Sequence, residues 1–115
     1  MNIAYILPGI GVSGGISVIC QHANRLLKRG HQVSLLVDYL QGNLDWFPNQ
    51  NVPILPVNNT PKDLDILIAT GWTTSFSLVD LPAKRKFYFV QSDETRFHKP
   101  DSVYQDITAL SYLLD

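Results

Sequence analysis

The chain has 115 residues, 45% of them apolar and 17% charged, which suits one domain with its own core and is too little for two. Nine basic against ten acidic residues give a formal charge of -1, so the basic surplus with which proteins hold nucleic acid through its phosphates is missing. The single cysteine, Cys20, cannot close an intramolecular disulfide and three scattered histidines offer no metal-ligand spacing, so no metal and no bound cofactor is expected, and the reducing cytoplasm is the expected compartment.

Residues 2–7 form a continuous apolar run closed by Pro8 and Gly9, the pattern of a strand buried on both faces. The apolar stretch 3–12 has no basic segment before it and is too short to span a bilayer, so it reads as strand and loop and not as a signal peptide. Over 15–29 the period turns helical. Ile16, Ile19, Cys20, Ala23, Leu26 and Leu27 share one stripe, Arg25, Lys28 and Arg29 sit in the last turns, and Gly30 is placed to end the helix. Residues 32–38 are a second apolar run, which makes the first forty residues a right-handed βαβ unit. Residues 39–51 predict a polar loop or weak helix around Trp46 and Phe47. A third strand over 52–57 carries Pro53 and Pro56 and so belongs at a sheet edge. Residues 65–70 predict a buried fourth strand, followed by a short helix from about Thr73 that Pro82 terminates. Lys84, Arg85 and Lys86 read as basic gatekeepers in front of a fifth strand over 87–91. Asp101 is placed to cap a last helix whose apolar face runs through Val103 or Tyr104, Ile107, Leu110 and Leu114. That helix reaches Asp115 with no glycine, proline or basic residue to stop it, and reads as running into a longer chain.

Strands alternating with helices predict an α/β, Rossmann-like doubly wound parallel sheet of about five strands, ordered 3-2-1-4-5, with helices on both faces. The segments after the strands then meet on one rim: 8–15, Asp38 and Tyr39, Asn58 and Asn59, 71–74, and 91–97. Ligand chemistry belongs there. Gly9, Gly11 and Gly14 satisfy GxGxxG between a strand and a helix, and Gly15 makes a pair at the helix start. Such a turn exposes backbone N–H groups beside the positive helix end, worth about 0.3–1 kcal/mol toward an anion. The same turn would also serve simply to let the helix pack on the sheet. Asp38, twenty-four positions beyond Gly14, keeps open a dinucleotide site of an NAD(P)-dependent oxidoreductase, in which an acid at the end of the second strand holds the ribose hydroxyls. Thr70, Trp72, Thr73 and Thr74 either offer hydroxyls and an indole to a sugar, or cap the short helix while Trp72 fills the core. Asp93 and Glu94 suit a general base on an acceptor hydroxyl, or a solvated loop. Arg96, His98 and Lys99 are weaker candidates for an acceptor phosphate. A receiver-like signalling module is excluded, because Pro8 and Gly9 stand where such a module needs acids after its first strand.

Residues 3–38, with Pro8 after the first strand, Gly14 and Gly15 opening the helix and Gly30-His31-Gln32-Val33 leading into the second strand, resemble the N-terminal domain of GT-B-fold glycosyltransferases of family 4. DILIATGWTT at 65–74 and FYFVQSDETRF at 87–97 resemble that domain's fourth and fifth strands with their rim loops. The resemblance implies that residues 1–115 are the acceptor-side domain of a retaining enzyme that moves a sugar from a nucleotide diphosphate sugar to a glycan or lipid-linked acceptor. It implies a second, donor-binding domain carrying paired glutamates that have no counterpart here, and hence inactivity of these residues alone. Many members of the family place a histidine after the fifth strand, where this chain has Gln91. By this resemblance Gly11, Ser13, Gly14 and Gly15 face the donor phosphates or transferred sugar, Thr70, Trp72, Thr73, Gln91 and Glu94 shape the acceptor site, and Gln91, Asp93 and Glu94 are the candidates for catalysis. The location it implies is cytoplasmic, or peripheral to the inner face of the membrane. A fifth strand left at the sheet edge also predicts self-association, most simply as a two-fold dimer.

Overall fold

A computed structural model describes residues 1–38 and 42–114. Tyr39, the start of the predicted 39–51 loop, and Asp115 lie outside the described residues. Five strands, β1 (Asn2–Leu7), β2 (Gln32–Val37), β3 (Ile54–Pro56), β4 (Ile66–Ala69) and β5 (Arg85–Tyr88), form one sheet in the order β3-β2-β1-β4-β5. Every pairing is parallel. The doubly wound sheet predicted from the alternation of strands and helices is therefore the fold, with the proline-bearing third strand at one edge and the fifth at the other. β1 is buried on both faces. Ile3, Tyr5 and Leu7 point to a core completed by Ile16, Ile19, Cys20 and Ala23 of α1 (Gly14–Lys28), while Ala4 and Ile6 point to a second core with Leu36, Leu64 and Leu67. Two-sided burial is what makes β1 and β2 read as unbroken apolar runs instead of alternating ones.

The helix α1 stops as its sequence requires. The Gly30 amide donates to the Leu27 carbonyl at 3.0 Å and the His31 amide to the Leu26 carbonyl at 3.2 Å, with Gly30 at φ +90°. This is a left-handed glycine closure, a conformation that favours a residue without a Cβ. Between β4 and β5 the predicted helix is two short ones, α2 (Trp72–Ser75) and α3 (Ser77–Asp80), ending where Leu81 turns extended ahead of Pro82.

Three boundaries differ from expectation. β3 is only Ile54–Pro56, because Val57 already begins a 3₁₀ turn over Val57–Asn59. β5 begins two residues early and ends at Tyr88, three residues short of Gln91: the Lys84 and Arg85 amides donate to the Leu64 and Asp65 carbonyls at 3.1 and 3.0 Å, so Arg85 and Lys86 belong to the strand they were expected to precede. An edge strand has room for them, and Arg85 and Lys86 keep their side chains in solvent. The last helix, α4 (Val103–Ser111), is capped by Ser102 and not by Asp101; the Ser102 hydroxyl accepts from the Gln105 amide at 3.2 Å, while Asp101 takes a left-handed φ of +58° and donates its amide to Gln105 Oε1. The helix ends at Ser111, with Tyr112 as its C-cap, and so does not run on to Asp115 as expected, and its burial is also inverted. Thr108 and Ser111 are buried and Ile107 is half-buried, while Val103, Tyr104, Leu110 and Leu114 are exposed. The two buried hydroxyls are satisfied within the helix, by the carbonyls of Tyr104 at 2.7 Å and Thr108 at 2.6 Å, so small polar side chains can face a close neighbour without an unpaired donor.

Candidate functional site

The chain runs outward from β1 to β2 and β3, then returns to β4 on the other side of β1, so the carboxyl ends of β1 and β4 flank the crevice where ligands enter such sheets. A cleft of about 480 Å³ opens there. It lies between the start of α1, the turn after β4 and the segment after β5, and includes Ser13, Gly15, Thr70, Gln91, Glu94 and Phe97.

Ser13 holds the first wall. Its backbone is extended and its hydroxyl accepts from the Ile16 amide at 3.0 Å, making it the N-cap of α1, one residue earlier than the sequence suggested. The Gly14 and Gly15 amides have no helical carbonyl to reach. None of Gly9, Gly11 and Gly14 has a positive φ, and a Cβ built on any of them would meet nothing within 4 Å. Neither torsion nor packing within the fold requires glycine at these three positions. Gly15 differs: a Cβ there would stand 3.5 Å from Gln91 Nε2, which donates to the Gly15 carbonyl at 3.3 Å and so ties the two walls together. The loop is further held by Trp46, whose indole N–H donates to the Ile10 carbonyl at 2.8 Å.

The turn after β4 is fixed by hydroxyls. The Thr74 hydroxyl accepts from the Thr70 and Gly71 amides, each at 3.1 Å, and donates to the Gly71 carbonyl at 2.9 Å; Thr70 Oγ1 donates to the Ile6 carbonyl at 2.7 Å. Thr74 is therefore the capping threonine, and Thr73 is exposed outside the cleft. Trp72 is half-buried, its ring edge-on to His98 at 5.3 Å, and it does not line the cleft. His98 is stacked in turn on Tyr104 at 5.9 Å.

Glu94 stands at the centre of the third wall. Its Oε1 accepts from the Trp72 amide and from the Tyr88 hydroxyl, both at 3.1 Å, and its own amide donates to the Tyr112 hydroxyl at 2.7 Å. Oε2 takes no hydrogen bond among the described residues and lies 3.8 Å from where a Cβ on Gly71 would stand, at the cleft. Tyr88 is stacked on Tyr112 with centroids 5.7 Å apart, and burial, then the neighbouring Glu94 charge, pushes its phenol well above the ordinary tyrosine range. A tyrosine that stays neutral keeps donating to Glu94. Asp93 is occupied differently: its Oδ1 accepts from the Thr95 hydroxyl and amide at 2.6 and 3.2 Å, capping a 3₁₀ turn over Glu94–Phe97, and the Thr95 hydroxyl holds its carboxyl below the usual range. It faces Arg96, with Nε 3.8 Å away, and does not line the cleft.

Of the residues singled out from sequence, the fold thus gathers Ser13, Gly15, Thr70, Gln91 and Glu94 around one cleft, while Gly11, Gly14, Trp72, Thr73 and Asp93 lie on its approaches or behind it. Asp38, exposed beyond β2, is outside the lining as well. Ser92 and Phe97 line the cleft and were not anticipated individually, and Tyr88, Tyr112 and Trp46 position its walls from behind. No cluster of metal-ligating side chains occurs among the described residues, and no helix among them is long and apolar enough to cross a membrane. Comparison of the chain with protein-family models, with curated proteins and with solved structures found no match.

Proposed function

We propose that this chain is the acceptor-side domain of a retaining GT-B-type glycosyltransferase, its cleft receiving a sugar ring while the start of α1 meets the phosphates of a nucleotide diphosphate sugar. The observation that carries this reading is the chemistry of the lining. Its polar side chains are hydroxyls, one carboxamide and one carboxylate, and Glu94 is the only ionisable residue among the described residues that line it. A polyol matches such a set: Glu94 Oε2 accepts from a sugar hydroxyl while Oε1 stays anchored, Gln91 offers a further partner, and Phe97 gives an apolar sugar face a ring to lie on. An anion is repelled beside Glu94 and is better placed at the other wall of the cleft, at the Gly14 and Gly15 amides that open α1. The glycine positions support the same division, because their missing side chains leave open the path that a pyrophosphate would use.

Chemistry at the anomeric carbon also needs the paired glutamates of a donor domain, so the parent enzyme transfers sugar to a glycan or lipid-linked acceptor and residues 1–115 alone do not. The test is an NMR titration of the chain with methyl glycosides, with a nucleotide diphosphate sugar and with NADH. Glycosides are expected to shift amides in 70–72 and 91–97, the nucleotide sugar those in 13–16 as well, and Glu94→Gln, which keeps an oxygen for Trp72 and Tyr88, to weaken glycoside binding about tenfold. Micromolar NADH binding that Asp38→Ala abolishes would replace this reading with a dinucleotide site.

A further inference from the structure

A second pocket lies away from the cleft, on one flank of α1, and is built by β1 and α1 with its C-cap. It has a volume of about 230 Å³ and is lined by Tyr5, His22, Arg25, Leu26 and Arg29. Tyr5 comes from the central strand, between Leu35 and Ile68 of its neighbours, and is 4% exposed. Its hydroxyl takes no hydrogen bond among the described residues. A tyrosine hydroxyl carried this deep ordinarily pairs within the fold, so here its partner has to come through the pocket. The polar side chains beside it are all donors. His22 packs on Phe89 with ring centroids 5.4 Å apart, and Arg25 and Arg29 follow it along the same flank of the helix. No ion pair joins either guanidinium to a carboxylate among the described residues, and neither β1 nor α1 contains an acid. Positive charge in the last turn answers the helix dipole, and Lys28 serves that purpose from outside the pocket. The dipole does not explain why Arg25, Arg29 and His22 gather over an unpaired tyrosine hydroxyl.

We propose that this pocket binds a phosphate group, and that the group arrives on a small dissolved ligand. A carboxylate has one charge and two oxygens in one plane, which a single guanidinium fork satisfies. A phosphate dianion carries oxygens in several directions and a charge that two guanidiniums match. Arg25 and Arg29, one helical turn apart, take the outer oxygens, His22 offers a ring N–H, and the Tyr5 hydroxyl donates from the floor. The depth of Tyr5 selects a dissolved ligand. A headgroup held in a bilayer surface meets the exposed arginines, but it does not descend to a residue that is 4% exposed. The volume has room for a phosphate with a short substituent and is below the range of pockets that enclose whole cofactors. His22 lies about 10 Å along α1 from Gly15, which separates this site from the amides that open the helix.

The proposal is independent of the function assigned to the cleft, and its test is an NMR titration of the 115-residue chain with inorganic phosphate at constant ionic strength. Phosphate is expected to shift the amides of Tyr5, His22, Arg25, Leu26 and Arg29 saturably, with a dissociation constant below about 1 mM. Arg25→Gln and Arg29→Gln, at exposed positions, are each expected to weaken binding about tenfold. Tyr5→Phe removes one oxygen and keeps the ring, and is expected to weaken binding about fivefold with an unchanged circular dichroism spectrum. Lys28→Gln removes the same charge from the same turn outside the lining, and is expected to change the affinity less than about twofold. Shifts confined to residues 13–16, an affinity unchanged by Tyr5→Phe, or a loss at Lys28→Gln as large as at Arg25→Gln overturns the proposal. Vesicles of phosphatidylglycerol test the surface source. Co-sedimentation that Tyr5→Phe leaves unchanged, in a chain that shows no saturable phosphate shifts, assigns the arginines to a lipid surface and overturns it as well.

Discussion

At Gly14 the backbone is ordinary and the space around a would-be Cβ is open, so a side chain there costs the fold little and fills only the approach to the start of α1. Gly14→Val is expected to change stability by no more than about 0.5 kcal/mol in a denaturant titration. The same variant is expected to lose the amide shifts at 13–16 that a nucleotide diphosphate sugar produces. A fold that depended on this glycine would lose stability instead, and retained shifts would show that nothing approaches the helix start. Glu94 presents the opposite arrangement, since one oxygen is committed to the Trp72 amide and the Tyr88 hydroxyl and the other is left at the cleft. A carboxylate anchored on one side has few rotamers to lose on binding, and this separates it from Asp93, whose oxygens serve Thr95 and Arg96 in its own turn.

The turn between β4 and α2 shows what holds an element this short in place. α2 has four residues and little hydrogen bonding of its own, so its geometry rests on the Thr74 hydroxyl, which closes on the Thr70 and Gly71 amides and the Gly71 carbonyl. Thr74→Val keeps the shape and takes the acceptor away from the Thr70 and Gly71 amides, for an expected loss of about 2 kcal/mol by chemical denaturation, whereas Thr73→Val, at an exposed position, should be near neutral. Sequence pattern could place a threonine cap here but not choose between the neighbours, because the choice depends on which hydroxyl points back. Where an element follows a strong period it was legible to within a residue: α1 shows its stripe and its terminal glycine in the chain itself, and β1 and β2 their two-sided burial. α4 was misread for a physical reason, because its small hydroxyls satisfy themselves on the helix and are buried, leaving the larger apolar side chains outside. The start of β5 was misplaced by two residues because charged side chains argue against a buried strand and not against an edge one, and its end by three because Phe89 and Val90 continue the apolar run after the strand has stopped. The rim loops were legible as a group, since the topology alone brings them together. The supports behind them were not, because Trp46 reaches Ile10 and Tyr112 reaches Glu94 through contacts between residues far apart in the chain.

Across the whole molecule the two ends of the sheet are finished differently, and pH should separate them. The rim opposite the cleft is gathered by Asp65, which accepts from the Asn2 amide at 2.8 Å and from Lys84 Nζ at 3.0 Å, joining the starts of β1, β4 and β5. The Asn2 amide first, and Lys84 second, hold its carboxyl below the ordinary aspartate range. A carboxyl that binds its proton less readily in the folded chain than in the unfolded one contributes stability above its unfolded pKa, about 3.9, and loses that contribution as the pH falls further through its folded value. Asp93 is displaced in the same direction and adds to the same acid limb. At the cleft end the sign is reversed. Tyr88 is held neutral above the ordinary tyrosine range, so its contribution is complete below about pH 10 and is lost as the pH rises beyond that value, when the unfolded chain ionises first. Denaturant midpoints measured from pH 2 to 11 are therefore expected to fall at both extremes. Asp65→Asn should flatten only the acid limb and Tyr88→Phe only the alkaline one, with the second variant also weakening glycoside binding because Glu94 Oε1 loses its hydroxyl partner. An acid limb unchanged by Asp65→Asn would mean that the start of the sheet does not depend on this carboxylate, and a glycoside affinity unchanged by Tyr88→Phe that the Trp72 amide alone is enough to aim Glu94 at the cleft.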